Sequence, residues 1–124
     1  MPRILVVDDQ ASMRQLIAAI VRQSGFPDVD EAPDGAEALL LMYDTDYALV
    51  ICDWHMPNMD GLGLLKAVRD IDSMRDVPFV MMTGDTERSD DAELKALGIS
   101  GFIRKPFDME KIVETLRTAV IPEN

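Results

Sequence analysis

Five short apolar runs alternate with stretches of helical periodicity along the whole chain, and this alternation constrains the fold more than any other feature. The runs are Arg3 to Asp8, Asp28 to Ala32, Tyr47 to Cys52, Pro78 to Met82 and Ser100 to Ile103. Most are rich in β-branched residues and lack a polar position at every second residue, the pattern of strands buried on both faces. The second run alternates Val29 with acids and suits an edge. Between the runs, Met13, Leu16, Ile17, Ile20 and Val21 form the i, i+3, i+4, i+7, i+8 stripe of an amphipathic helix. Ser12 with Gln15 predicts a capping box at its start, and Gly25 its end. Further helices are predicted from Asp34-Gly35 through Met42, from Gly61 to Asp70, from Arg88 to Leu97, and from Asp108 towards Ile121. A strand–helix unit repeated five times predicts an α/β fold: a parallel sheet with helices on both faces and right-handed crossovers.

The chain has 124 residues and reads as one domain over 1–124, with no linker, no internal repeat and no output domain expected. No apolar run approaches the ~20 residues of a membrane span, and Ile4 to Val7 is too short for a signal peptide. A single cysteine, Cys52, excludes an internal disulfide and suits a reducing compartment, so the cytoplasm is expected. The formal net charge of -11 opposes nucleic acid and anionic membrane surfaces as partners. A monomer is the default.

In open α/β sheets, sites form beyond the carboxyl ends of the strands. There the sequence places Asp8-Asp9 after the first strand, Asp53 after the third, Thr83-Gly84 after the fourth and Lys105-Pro106 after the fifth. Taken singly, each suits a turn, a helix cap or a solvated loop; together they suggest one crevice of three carboxylates, a hydroxyl and an ammonium. Packed carboxylates repel, which favours a bound cation. Oxygen ligands point to a hard divalent ion, Mg²⁺, with Mn²⁺ as a substitute. Three Asp and one Lys sum to -2, which a divalent ion neutralises and a phosphoryl group restores. A carboxylate can attack phosphorus, and charge neutralisation with positioning does most of the work of such transfers. Asp53, standing singly at a central strand end, is the nucleophile this pattern suggests, with adjacent Asp8 and Asp9 holding the cation. Met81, Met82, Met13 and Met42 read as core filling, and Cys52 as a buried inert thiol.

The same residues carry a resemblance. Asp8-Asp9 after a hydrophobic strand, the run Asp53-Trp54-His55-Met56-Pro57-Asn58-Met59-Asp60-Gly61, Thr83-Gly84 and Lys105-Pro106-Phe107 resemble the receiver domains of two-component response regulators, and among these the stand-alone chemotaxis regulators. The resemblance covers essentially the whole chain. It implies the flavodoxin-like (βα)5 doubly wound fold, with a five-stranded parallel sheet of order 2-1-3-4-5. It further implies that Asp53 accepts a phosphoryl group from a sensor histidine kinase of the CheA type, and that Asp53 with Asp8 or Asp9 holds Mg²⁺. The His55 backbone carbonyl would be a further metal ligand. Lys105 would contact the phosphoryl group, its bond to Pro106 being cis, and Thr83 would bring its hydroxyl to a phosphoryl oxygen while Phe102 turns inward. The readout would fall on helix four, strand five and helix five, for a flagellar-switch or other downstream protein. Receivers of the chemotaxis group often carry Tyr where this chain has Phe102, so a contact needing that hydroxyl is lacking. His55 and Asp85 stand where the family tunes phosphoryl lifetime; the His55 imidazole itself reads as a loop side chain. A phosphorelay intermediate that hands its phosphoryl group to a histidine phosphotransfer protein fits the same pocket. A haloacid-dehalogenase-like phosphohydrolase fits less well, because it needs an Asp where His55 stands and a cap domain. The expected chemistry is therefore phosphorylation and dephosphorylation of the chain itself, with no turnover of other substrates.

Overall fold

A computed structural model of the chain describes residues 2–84 and 92–120. Strands and helices alternate as β1 (Arg3–Val7), α1 (Ala11–Gln23), β2 (Asp28–Ala32), α2 (Gly35–Asp44), β3 (Leu49–Asp53), α3 (Gly61–Arg69), β4 (Phe79–Thr83), α4 (Ala92–Ala96), β5 (Gly101–Arg104) and α5 (Met109–Ala119), with one 3-10 turn at Asp72–Met74. All strand pairs are parallel and the order is β2-β1-β3-β4-β5, so this is the flavodoxin-like doubly wound sheet. β2, the run with interspersed acids, lies at an edge.

The side chains of the buried strands alternate between two cores. Leu5, Val7, Val50, Cys52, Phe79 and Met81 face one side and pack with Ala38, Met42, Leu64, Leu65, Val68 and Leu94 of α2, α3 and α4. Ile4, Val6, Leu49, Ile51, Val80, Met82 and Ile103 face the other and meet Ile17, Ile20, Val21, Ile112 and Leu116 of α1 and α5. Because both sides are apolar, the period of two is invisible in the sequence but complete in the packing. Each fully buried aliphatic side chain contributes about 1.5–3 kcal/mol. Met81 and Met82 fall one to each core, and the Cys52 thiol is buried, where desolvation raises its pKa.

Helix starts repeat one device: an Asp carboxylate accepts the backbone N–H three residues on. Asp34 does so from Glu37 (2.8 Å), Asp60 from Gly63 (2.8 Å) and Asp108 from Lys111 (3.0 Å). α1 departs from its predicted start. The Ser12–Gln15 capping box does not form; Ser12 lies inside the first turn, and the N-cap is Gln10, which makes no side-chain cap bond. The physical reason is Asp8, whose carboxylate accepts the Gln10 backbone N–H (2.9 Å) and turns the chain into the helix earlier than the Ser would. α1 ends at Gln23, with Ser24 as its C-cap before Gly25 with φ 101°. The predicted fourth helix lies partly outside the described residues, as do Asp85 and Ile121. Among the described residues, no helix is long and apolar enough to cross a membrane.

Candidate functional site at the carboxyl edge

β1, β3, β4 and β5 deliver the chemistry-bearing residues to one place. β3 runs one residue further than the apolar pattern implies, so Asp53 is its last residue, and Thr83 likewise closes β4. The ladder holds both in place: Trp54 N–H donates to the Met82 carbonyl (3.2 Å) and Lys105 N–H to the Thr83 carbonyl (2.7 Å). Asp8 follows β1, its N–H bound to the Ala32 carbonyl (3.1 Å). Behind Asp53, α3 begins unusually close. A Cβ at Gly61 would lie 2.5 Å from the Asp53 carbonyl oxygen and 2.6 Å from Met81 Sδ, so only glycine lets the helix press on the peptide that carries the carboxylate.

Asp8, Asp9 and Asp53 each bring a carboxylate oxygen within 4.8 Å of the other two. Two of the three are buried: Asp8 is fully enclosed, Asp53 nearly so, and Asp9 is exposed. Lys105 Nζ donates to Asp53 Oδ1 (2.8 Å), and the Trp54 backbone N–H donates to the same oxygen (2.9 Å). The peptide bond Lys105-Pro106 is cis. Burial raises the Asp8 pKa, and the charges of Asp53 and Asp9 add to the rise; the Gln10 N–H and Lys105 oppose it. Among the described residues, Asp8 Oδ2 and Thr83 Oγ1 are buried without a hydrogen-bond partner, an arrangement that ordinarily costs about 1–3 kcal/mol per group.

The donor set suits a hard cation. Three carboxylate oxygens within 4.8 Å of one another could supply the oxygen ligands that Mg²⁺ takes. Among the described residues Asp8 Oδ2 also has no hydrogen-bond partner, which a cation would supply.

The remaining predicted residues are more dispersed. His55 is exposed on the β3–α3 loop, and Phe102 on β5 is half-buried against the first core, paired in register with Met81. Two struts around the site escaped the sequence reading. Arg14 on α1 donates to the Asp8 carbonyl (2.8 Å) and pairs with Glu31 (3.1 Å), tying α1 to both β1 and β2. Asn58 adopts φ 68° and donates its amide to Asp34 (2.9 Å). Asn is among the few residues that tolerate a positive φ, which is the one sequence signal for that turn.

A parallel doubly wound sheet with acids and a lysine gathered at its carboxyl edge defines a receiver-type domain. The response regulator receiver domain model matches residues 4–117, and the chain belongs to that family. It is 36% identical over 114 residues to the chemotaxis protein CheY-3 of Vibrio cholerae, spanning 92% of this chain and 88% of the relative. It is 34% identical over 114 residues to the chemotaxis protein CheY of Pseudomonas aeruginosa, spanning 92% of each. The solved structure of the V. cholerae chemotaxis response regulator CheY4 superposes with a TM-score of 0.87 at 34% identity, covering 96% of this chain and 98% of that one.

Proposed function

We propose that this chain is a Mg²⁺-dependent phosphoacceptor switch in which Asp53 takes a phosphoryl group from a histidine kinase and the phosphorylated form changes its binding to a downstream protein. One observation carries the reading: Asp53 lies beside two further carboxylates and under the Lys105 ammonium, with buried oxygens on Asp8 and Thr83 that have no partner among the described residues. Asp8, Asp9 and Asp53, with the His55 backbone carbonyl, are the residues that would hold the ion. Bound there, Mg²⁺ supplies the positive charge that lets one anion approach another. An Asp53 carboxylate oxygen bonds to phosphorus as the phosphorus–nitrogen bond of a phosphohistidine breaks, and the imidazole nitrogen leaves and takes up a proton. Lys105 then bridges carboxylate and phosphoryl oxygens, and the Thr83 hydroxyl donates to another phosphoryl oxygen. Donating in this way gives the Thr83 hydroxyl a partner that it lacks among the described residues, and Phe102, half-buried on the neighbouring strand, follows inward. The consequence is a two-state shift of the α4–β5–α5 face.

The two relatives described above are named as chemotaxis proteins, which favours a CheA-type kinase as donor and a flagellar-switch protein as target. A donor helix has a natural seat beside Lys105, where Met13, Pro106 and Phe107 border Leu16, itself 53% exposed. Leu16→Glu is expected to slow transfer from the kinase while leaving phosphorylation by acetyl phosphate unchanged; equal slowing with both donors rejects that seat. The cytoplasm is the setting this chemistry needs.

Trp54 is buried next to Asp53 and is the only tryptophan. Mg²⁺ followed by acetyl phosphate or beryllofluoride is expected to change its fluorescence, and a phosphoryl adduct is expected on Asp53 by mass spectrometry. A wild-type protein that shows neither is not a phosphoacceptor.

A further inference from the structure

The β3–α3 loop, residues 54–60, follows directly on Asp53 of the carboxylate cluster, and it is held at three places. At its start the Trp54 N–H binds the Asp53 carboxylate, and the Trp54 carbonyl accepts the Gly61 N–H (2.9 Å). At its end Asp60 caps α3. Its middle is clasped from outside by α2. Asp34, mostly buried, divides its carboxylate: Oδ1 accepts the Glu37 N–H (2.8 Å) as a helix cap, and Oδ2 accepts the Asn58 amide (2.9 Å). Next to it, the Gly35 N–H donates to the Met59 carbonyl (3.1 Å), and a Cβ at Gly35 would lie 2.7 Å from that oxygen. Asn58 itself holds φ 68°, a turn that costs energy for most side chains and persists where surrounding bonds fix it.

A helix cap needs one oxygen of Asp34, so the second bond serves the loop. Asn58 is three residues beyond His55, and the chain between the fixed Trp54 and the fixed Met59 is further restrained at Pro57, whose carbonyl accepts the Met59 N–H (2.7 Å). We propose that Asp34 and Asn58 are positioning residues for the cation site: their clasp sets the place of the His55 carbonyl relative to Asp8, Asp9 and Asp53, and thereby sets the affinity for Mg²⁺. The inference rests on the phosphoacceptor reading above. It adds a residue pair outside the site to the determinants of its metal affinity. The Asp34 pKa is lowered, first by the Glu37 N–H and next by the Asn58 amide, in keeping with a carboxylate that serves both partners.

Two variants separate the clasp from its neighbours' structural roles. Asn58→Gly keeps the positive φ without strain and removes the amide. Asp34→Ser keeps an N-cap oxygen for Glu37 but is too short to reach Asn58. Mg²⁺ affinity is measured by calorimetry and by Trp54 fluorescence on the full chain, beside the metal-free melting temperature. Each variant is expected to bind Mg²⁺ about 10-fold more weakly, the lower end of what outer partners of metal ligands contribute. The double variant is expected to lose no more than either single one, because both break the same contact. Asp34→Asn, which can cap and still pair with Asn58 after an amide flip, is expected to recover most of the affinity. Wild-type affinity in both single variants, or additive losses in the double one, overturns the clasp while leaving the phosphoacceptor reading standing. Absence of Mg²⁺ binding and of a phosphoryl adduct in the unmutated chain overturns both.

Discussion

At the amino edge of the sheet a single guanidinium, Arg69, donates to four backbone carbonyls: Leu97 (2.6 Å), Val77 (2.8 Å), Arg75 (2.9 Å) and Gly98 (3.2 Å). Near it the Ser100 hydroxyl accepts the Phe79 N–H, and the Tyr47 phenol donates to Asp30, which also pairs with Arg3. At the carboxyl edge the opposite holds. Among the described residues, buried Asp8 and Thr83 each keep an oxygen without a partner, and three carboxylates crowd together. Polar groups at one edge are matched to each other, which stabilises the fold; at the other, on the proposed reading, they await an ion and a phosphoryl group. Buried polar atoms are rarely left unpaired, and this is what supports the carboxyl edge as the candidate site.

Substitutions at the two edges should therefore fail differently. The largest effect is expected from Asp53→Asn, which keeps the fold and abolishes the phosphoryl adduct seen by mass spectrometry; an adduct that survives elsewhere on the chain would move the nucleophile. Lys105→Ala comes next. It removes the ammonium from Asp53 and is expected to slow phosphorylation by acetyl phosphate on the order of 100-fold, the scale of one lost charge-stabilising donor, with Mg²⁺ binding retained. Signalling at the normal rate in that variant would remove Lys105 from the mechanism.

Arg69→Ala tests the other edge. Losing one donor shared by four carbonyls is expected to lower stability by about 2–3 kcal/mol in urea unfolding, with Mg²⁺ affinity unchanged. An equal loss of metal affinity would mean that the two edges are not independent. The smallest effect, and the one of opposite sign, is expected from Asp8→Asn in metal-free buffer. The Asp8 pKa is raised in the fold, so its ionised form opposes folding at neutral pH, and this cost disappears as pH falls through the raised value. The variant is therefore expected to melt slightly higher than wild type at pH 7, and no higher at a pH below the ordinary carboxylate range. Asp34, whose pKa is lowered, runs the other way: its stabilising contribution is present at neutral pH and is lost on acidification. A stabilising Asp34→Asn at pH 7 would break the contrast between the two acids.

How much of this was legible in the sequence follows from the range of the interactions involved. Element order, the edge position of β2 and the start of α2 near Asp34 are local, and periodicity or a few neighbouring residues carry them. The strand order came from resemblance, because runs apolar on both faces contain no pairing signal. The early start of α1 was missed because Ser12 is a good cap in isolation; only the fold gives Asp8 the Gln10 N–H as a partner. Lys105 meets Asp53 across 52 positions and Asn58 meets Asp34 across 24. The first pair was expected because each stands at a strand end. The second joins a loop to a helix start, and no repeat in the chain marks it.

The ion pair of Lys105 with Asp53 closes the pocket with a residue from the last strand–helix connection of the chain. A nascent polypeptide, even with β1, β3 and β4 already made, has no ammonium over its carboxylate until β5 has docked on β4. On the proposed reading, an unfinished or clipped copy would draw little signal away from its intact siblings, because full reactivity arrives only with the completion of the sheet.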